Sequence, residues 1–245
     1  MHSVPSAKGE PRPTTLRDAR KLNLVPSVTN ILGVIAKPEL TAWLQEQAVM
    51  AALTLPRIAG ETEDAFAKRV VTDSLTTRDG AADFGTACHH GAERVAHTLE
   101  VDRADLLSAW LNRYRDWFQA NALTTRWTEK VLVHQEWGYA GTADLLIEHA
   151  AHGLTLVDFK TTKLKAGVKF SPYKTWCYQL AAYRRALGEP VKCMNLVINS
   201  VEPSVPIEHL WSESEMQRGW TAFEAARRLW SIEKNYDPTA LAFAE

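Results

Sequence analysis

Residues 142–160 read TADLLIEHAAHGLTLVDFK. Two apolar runs, TADLLIEH and LTLVDFK, flank a short turn at His149–Gly153, which predicts an antiparallel hairpin. Side chains alternate along a strand. Leu154, Leu156, Asp158 and Lys160 therefore share one face, and Thr142, Asp144, Leu146 and Glu148 share one face of the other run. If the runs pair through the turn, Asp144 approaches Asp158. Two close carboxylates repel, and one pKa rises. A divalent cation removes that cost, and hard oxygen ligands suit Mg²⁺ or Mn²⁺. Lys160 beside the ion can orient a water or stabilise developing negative charge. The same parity also fits a plain hairpin with two surface acids, because charges are common at strand ends. Strand geometry alone does not choose.

The rest of the chain is read outward from this hairpin. Upstream, EKVLVHQEWG predicts a third strand, separated from TADLLIEH by Gly138–Gly141. Downstream, a basic loop at 161–172 leads into YKTWCYQLAAYRRAL (173–187), a helix closed by Gly188 and Pro190. VKCMNLVINS (191–200) and VPIEHLW (205–211) predict two more strands. Ser212 with Glu215 forms a capping box for a last helix, to about Lys234. Toward the start, residues 1–23 predict a flexible arm rich in Pro, Ser, Arg and Lys. PSVTNILGVI (26–35) opens as a turn and becomes apolar, and Pro38 opens a helix over PELTAWLQEQAVMAAL. Further helices are expected at 61–75, from 81–84 to about 99, and at 103–121, where Leu106, Trp110, Tyr114 and Trp117 recur at helical spacing. The order predicts a mixed α/β fold. After the arm at 1–23, one domain is expected over 24–245: a mainly helical part (24–125), a sheet core (126–211) and a C-terminal helix (212–236).

Composition excludes more than it selects. The 245 residues are 46% hydrophobic and 23% charged, ordinary for a globular chain. A net charge of -1 names no partner, so a nucleic-acid surface would need local basic clustering. One such stretch exists: between Asp158 and Glu189 there is no acid, while Lys160, Lys163, Lys165, Lys169, Lys174, Arg184 and Arg185 all fall there. A phosphate backbone suits it, as does a solvated lysine loop. Cys88, Cys177 and Cys193 form no CxxC pair, which disfavours a zinc or iron–sulfur site and suits a reducing cytoplasm. There is no apolar leader, no run of 18 apolar residues and no P-loop. The expectation is a cytoplasmic protein with no membrane span and no NTP.

Two further groups carry chemistry. In FGTACHHGAE (84–93), His89 and Glu93 are four apart and share a helical face, and can join a metal site or form a solvated pair. His90 lies about 100° around the helix, so only one of the two histidines can face a site. Gln179 and Tyr183 are likewise four apart, with Trp176 on the adjoining stripe; core packing is the alternative for both aromatics.

Together these residues resemble the PD-(D/E)XK nuclease superfamily, in its RecB-type exonuclease branch. The ordered set is Gly85 to His89 (G-x-x-x-H), Gly141 to Asp144 (G-x-x-D), Asp158 to Lys160 (D-x-K) and Gln179 to Tyr183 (Q-x-x-x-Y). PSVTNIL resembles the P-S-V-T segment of phage-encoded and mitochondrial genome-maintenance exonucleases. Residue 143 is alanine where many relatives have proline. The resemblance spans 26–187 and implies a restriction-endonuclease-like core: a mixed central sheet flanked by helices, plus a helical N-terminal part. It implies metal-dependent hydrolysis of DNA phosphodiesters, by an exonuclease of recombination, repair or replication. His89, Asp144, Asp158 and the Phe159 backbone carbonyl would hold Mg²⁺ or Mn²⁺, and Glu93 would stand outside them or on a second ion. Lys160 would position or activate water, supported by Gln179 and Tyr183. Ser27, Thr29, Lys163, Lys165, Lys169, Lys174 and Trp176 would meet a single- or double-stranded DNA end. No iron–sulfur cluster is expected. A single-strand annealing or recombination protein would be a fitting partner, and a bacterium or a phage in its host cytoplasm a fitting source. The rival reading is a DNA-binding accessory protein that keeps the fold without catalysis. A carboxylate-pair hydrolase acting on sugars would leave Lys160, His89 and the basic loop unexplained.

Overall fold

The computed structural model describes residues 3–5, 9–164, 167 and 170–241. Lys165 and Lys169 lie outside the described residues. The elements run β1 (Ser3–Pro5), β2 (Pro11–Pro13), α1 (Leu16–Leu22), α2 (Val28–Leu32), α3 (Pro38–Thr54), α4 (Glu63–Thr98) and α5 (Ser108–Asn121). There follow β3 (Ala122–His134), β4 (Tyr139–His149), β5 (Gly153–Thr162), α6 (Lys174–Leu187), β6 (Lys192–Asn199), β7 (Ile207–Trp211), α7 (Glu213–Lys234) and α8 (Pro238–Leu241). This is an α/β fold with a helical N-terminal part.

The main sheet has the order β3-β4-β5-β6-β7. β5 and β6 run parallel; the other neighbours are antiparallel. A parallel step needs a crossover, and α6 supplies it. The two sheet faces carry separate cores, as strand parity requires. Leu146 and Leu156 face α2, α6 and α7, packing with Val28, Leu180, Tyr183 and Phe223. Leu145, Ile147, Val157 and Phe159 face α4 and α5, packing with Val95, Leu111, Tyr114 and Trp117. The β4–β5 ladder descends from His149↔Gly153 to Leu145↔Val157. The next register step would set Asp144 against Asp158, and no ladder pair forms there.

Several elements depart from the pattern-based reading. Part of the expected arm is helical: Thr15 and Asp18 cap α1 reciprocally, and Tyr236 donates its hydroxyl hydrogen bonds to the Ala19 and Leu24 carbonyls. The helices expected at 61–75 and 81–99 are one helix, α4, of 36 residues running through Gly80. α5 starts at Ser108 rather than 103, because Asp102 and Asp105 accept from the backbone N–H of Ala104 and Leu107 and hold turns there. Leu106 is consequently exposed instead of joining Tyr114 and Trp117 in the core. Gly141 lies inside β4 rather than in a separating turn. β3 starts seven residues before the expected Glu129, with register shifts between Ala122 and Thr124 and between Thr125 and Trp127. The capping box of Ser212 and Glu215 is present on α7.

Candidate active site

The strands part where Asp144 and Asp158 stand, and three elements reach into the gap. Asp158 is buried. Its Oδ2 contacts Lys160 Nζ at 2.6 Å and accepts from Asn195 Nδ2 at 2.7 Å. Asn195 sits beside Asp158 in the parallel ladder, and its Oδ1 accepts from Trp211 Nε1 at 2.7 Å. Asp158 Oδ1 is buried with no hydrogen-bond partner. Lys160 Nζ also donates to Gln179 Oε1 at 3.1 Å, and Gln179 Nε2 donates to Tyr183 Oη at 3.1 Å. Tyr183, Gln179, Lys160, Asp158, Asn195 and Trp211 thus form one continuous chain. It fixes the ammonium and one carboxylate oxygen and leaves the other oxygen free.

Asp144 is held differently. Its Oδ2 accepts from the Phe159 N–H at 2.7 Å, so a side-chain carboxylate stands in for the missing ladder step. His89 Nδ1 lies 3.6 Å from the same oxygen. Burial first, then the charge of Asp158, raises the Asp144 carboxyl well above the usual carboxylate range, with Lys160 pulling the other way. For His89, burial and then the nearby Lys160 lower the pKa and favour the neutral ring, against smaller opposing effects of Asp158 and a hydrogen bond to the Phe159 backbone. The Phe159 side chain points into the α4–α5 core, meeting His89 and Tyr114 edge-on.

Two glycines set the approach distances. A Cβ on Gly141 would stand 2.6 Å from the Tyr183 ring, and one on Gly85 would stand 3.0 Å from Thr161 Oγ1. The first lets α6 close on β4, the second lets α4 close on β5, and both closures bring site residues inward.

His89, Asp144, Asp158, Lys160, Gln179 and Tyr183 are therefore brought together. Glu93 stands near enough to Glu129 to raise that carboxyl's pKa. Ser27 and Thr29 are exposed at the start of α2, their hydroxyls 3.2 Å apart, while Val28 packs against the Gly141 position. Ser27 also caps α2. Lys163 and Lys174 are exposed at either end of the β5–α6 connection. Trp176 is half-buried and stacked on Phe170, with Tyr173 edge-on. Two members of the basic interval serve the fold instead. Arg184 pairs with Glu213, and Arg185 lies over Trp220.

Sequence reasoning missed Asn195, Trp211 and Glu129. Asn195 left a signal, as the one polar side chain in the buried run CMNLVI. Glu129 did not. It lies in β3, and its ligand atoms fall with those of His89 and Asp144 within 4.8 Å of one another.

His149, His152 and Glu208 form a second compact group. His149 Nδ1 accepts from the Ala151 N–H at 3.1 Å, so a neutral ring carries its proton on Nε2. Nε2 lies 3.5 Å from Glu208 Oε1 but is buried without a hydrogen-bond partner, and this oxygen accepts from Trp117 Nε1 at 2.6 Å. The group ties the β4–β5 turn and α5 to β7.

No family model matches the chain, and no curated protein matches it. Among solved structures, the crystal structure of SSO0001 matches with 15% identity over 81% of this chain and 88% of that one, at a TM-score of 0.33, a likeness too loose to define the fold.

Proposed function

We propose that the chain is a metal-dependent deoxyribonuclease of the PD-(D/E)XK type, an exonuclease of the RecB branch. The observation that carries this reading is the convergence of Asp144, Asp158, Lys160 and His89 at the parting of β4 and β5, with Lys160 anchored on Gln179. The residues fit a divalent cation. A buried carboxylate oxygen on Asp158 lacks any partner, Asp144 is pressed toward protonation by burial and then by the charge of Asp158, and the His89 ring lies 3.6 Å from Asp144. His89, Asp144, Asp158 and the Phe159 backbone would hold Mg²⁺ or Mn²⁺. Such an ion, when bound, neutralises the paired carboxylates and stabilises charge on phosphoryl oxygens.

The chain's own groups supply the rest. Lys160 offers a positive, donor-only head whose position is fixed from two sides, by Asp158 and by Gln179. It orients the attacking water and stabilises negative charge as that water's oxygen bonds to phosphorus and the ester P–O bond breaks. Tyr183 and Gln179 keep the lysine from folding away. The exposed hydroxyls of Ser27 and Thr29 and the exposed Lys163 and Lys174 suit contacts with a DNA backbone.

The test is digestion of 5′- and 3′-labelled DNA, linear and circular, single- and double-stranded, with Mg²⁺ or Mn²⁺. Asp158→Ala and Lys160→Ala should each lower the rate by about 100-fold or more. Wild-type rates in either variant would sink the mechanism. Salt-dependent DNA binding with no cleavage under any divalent metal would favour the accessory-protein reading instead.

A further inference from the structure

Glu129 stands in β3 between two ladder pairs, Thr128↔Leu145 and Lys130↔Ala143, which set it opposite Asp144. Residues directly opposite in an antiparallel pair share a face. Its carboxylate accordingly reaches His89 and Asp144, with all three ligand atoms within 4.8 Å of one another. The backbone there is unusual. Glu129 has φ +44°, a left-handed conformation in the interior of a strand. A residue with a side chain adopts it only where the surroundings hold it, and such positions concentrate at functional sites.

The arithmetic of oxygen atoms gives Glu129 its role. Asp144 Oδ2 is committed to the Phe159 N–H, and Asp158 Oδ2 to Lys160 and Asn195. Each aspartate keeps one oxygen. A hard divalent ion takes about six ligands, mostly oxygens. Among the described residues, neither Glu129 oxygen has a hydrogen bond or an ion pair. The buried, partnerless Asp158 Oδ1 points independently to a cation at this place.

We infer that Glu129 is a third metal-holding carboxylate of this site, and that its left-handed backbone is retained to present it there. The inference rests on the metal-centre reading proposed above. The experiment is titration of the full chain with Mn²⁺, following free ion by its electron-paramagnetic-resonance signal, for wild type, Glu129→Gln and Asp144→Asn. Melting of each metal-free protein checks the fold. Glu129→Gln should weaken Mn²⁺ binding by about tenfold or more, with a metal-free melting temperature no lower than wild type. A Glu129→Gln protein that binds Mn²⁺ as wild type does, while Asp144→Asn loses the ion, overturns the assignment of Glu129 alone. A wild-type chain that takes up no Mn²⁺, or takes it up no better than Asp144→Asn, overturns the metal centre and this inference with it.

Discussion

A methyl group at residue 141 would land 2.6 Å from Cε1 of Tyr183 and 3.3 Å from its hydroxyl. Tyr183 is buried and bonded to Gln179, which holds Lys160. Gly141→Ala should therefore act at a distance. Overpacking of this kind costs about 1–3 kcal/mol, readable as a lowered urea midpoint. The rate of the proposed nuclease reaction should fall further than stability explains, because the ammonium loses one of its two fixed contacts. Mn²⁺ binding, which the proposed site would draw from Asp144 and Asp158, should change little. A variant with wild-type stability and rate would show that the tyrosine ring has room to spare. At this scale the sequence was readable wherever parity or helical spacing carried the message. Asp158 and Lys160 two apart, and Gln179 and Tyr183 four apart, point the same way in any regular strand or helix. Glu129 was unreadable because its position depends on a left-handed residue opposite Asp144, and nothing in WTEKV announces one.

The long helix α4 shows the limits of glycine as a stop signal. Gly80 lies in its interior, where an added Cβ would meet nothing within 4 Å. One glycine costs a helix only about 1 kcal/mol, less than the turns on either side contribute. Gly91 is the opposite case. A Cβ there would stand 2.6 and 2.8 Å from the Leu111 methyls, and Leu111 is buried under α4 on α5. The same substitution should thus have opposite signs at two places in one helix. Gly80→Ala should raise unfolding free energy by about 0.5–1 kcal/mol, and Gly91→Ala should lower it by about 1–2 kcal/mol. Chemical denaturation of both variants decides this. Matching shifts would mean that α4 and α5 are not packed as described. Strand β3 was legible only from its middle because two register shifts break its alternation before Trp127, so no period-two pattern precedes that residue.

Across the whole molecule, burial is uneven in a way that predicts dynamics. Most of β4, β5 and β6 lies under helices on both faces, and all but the first residue of β6 are buried. α3 is different. Of its 17 residues only Ala51 is buried, while Leu40, Val49, Met50 and Leu53 are exposed, and it packs on α4. The outer half of α4 shares this condition, with Val70 and Ser74 its buried residues before Gly80 among those described. A segment that buries little apolar surface gains little from being folded and opens independently of the rest. α2 lies on the other side of this segment in sequence but is anchored by Val28 and Ile31, both fully buried, and by the Ala140 N–H, which donates to the Pro26 carbonyl. Opening should therefore be confined between residues 38 and 80. Amide hydrogen exchange on the intact chain tests this directly. Amides of α3 and of α4 up to Gly80 should exchange about 100-fold or more faster than those of β4 to β6, a difference of roughly 3 kcal/mol in opening free energy. The second half of α4, which carries His89, should exchange with the sheet because Ala92 and Val95 lock it there. Uniform protection from α3 through β6 would show that the helical part is coupled to the core more tightly than its buried contacts allow.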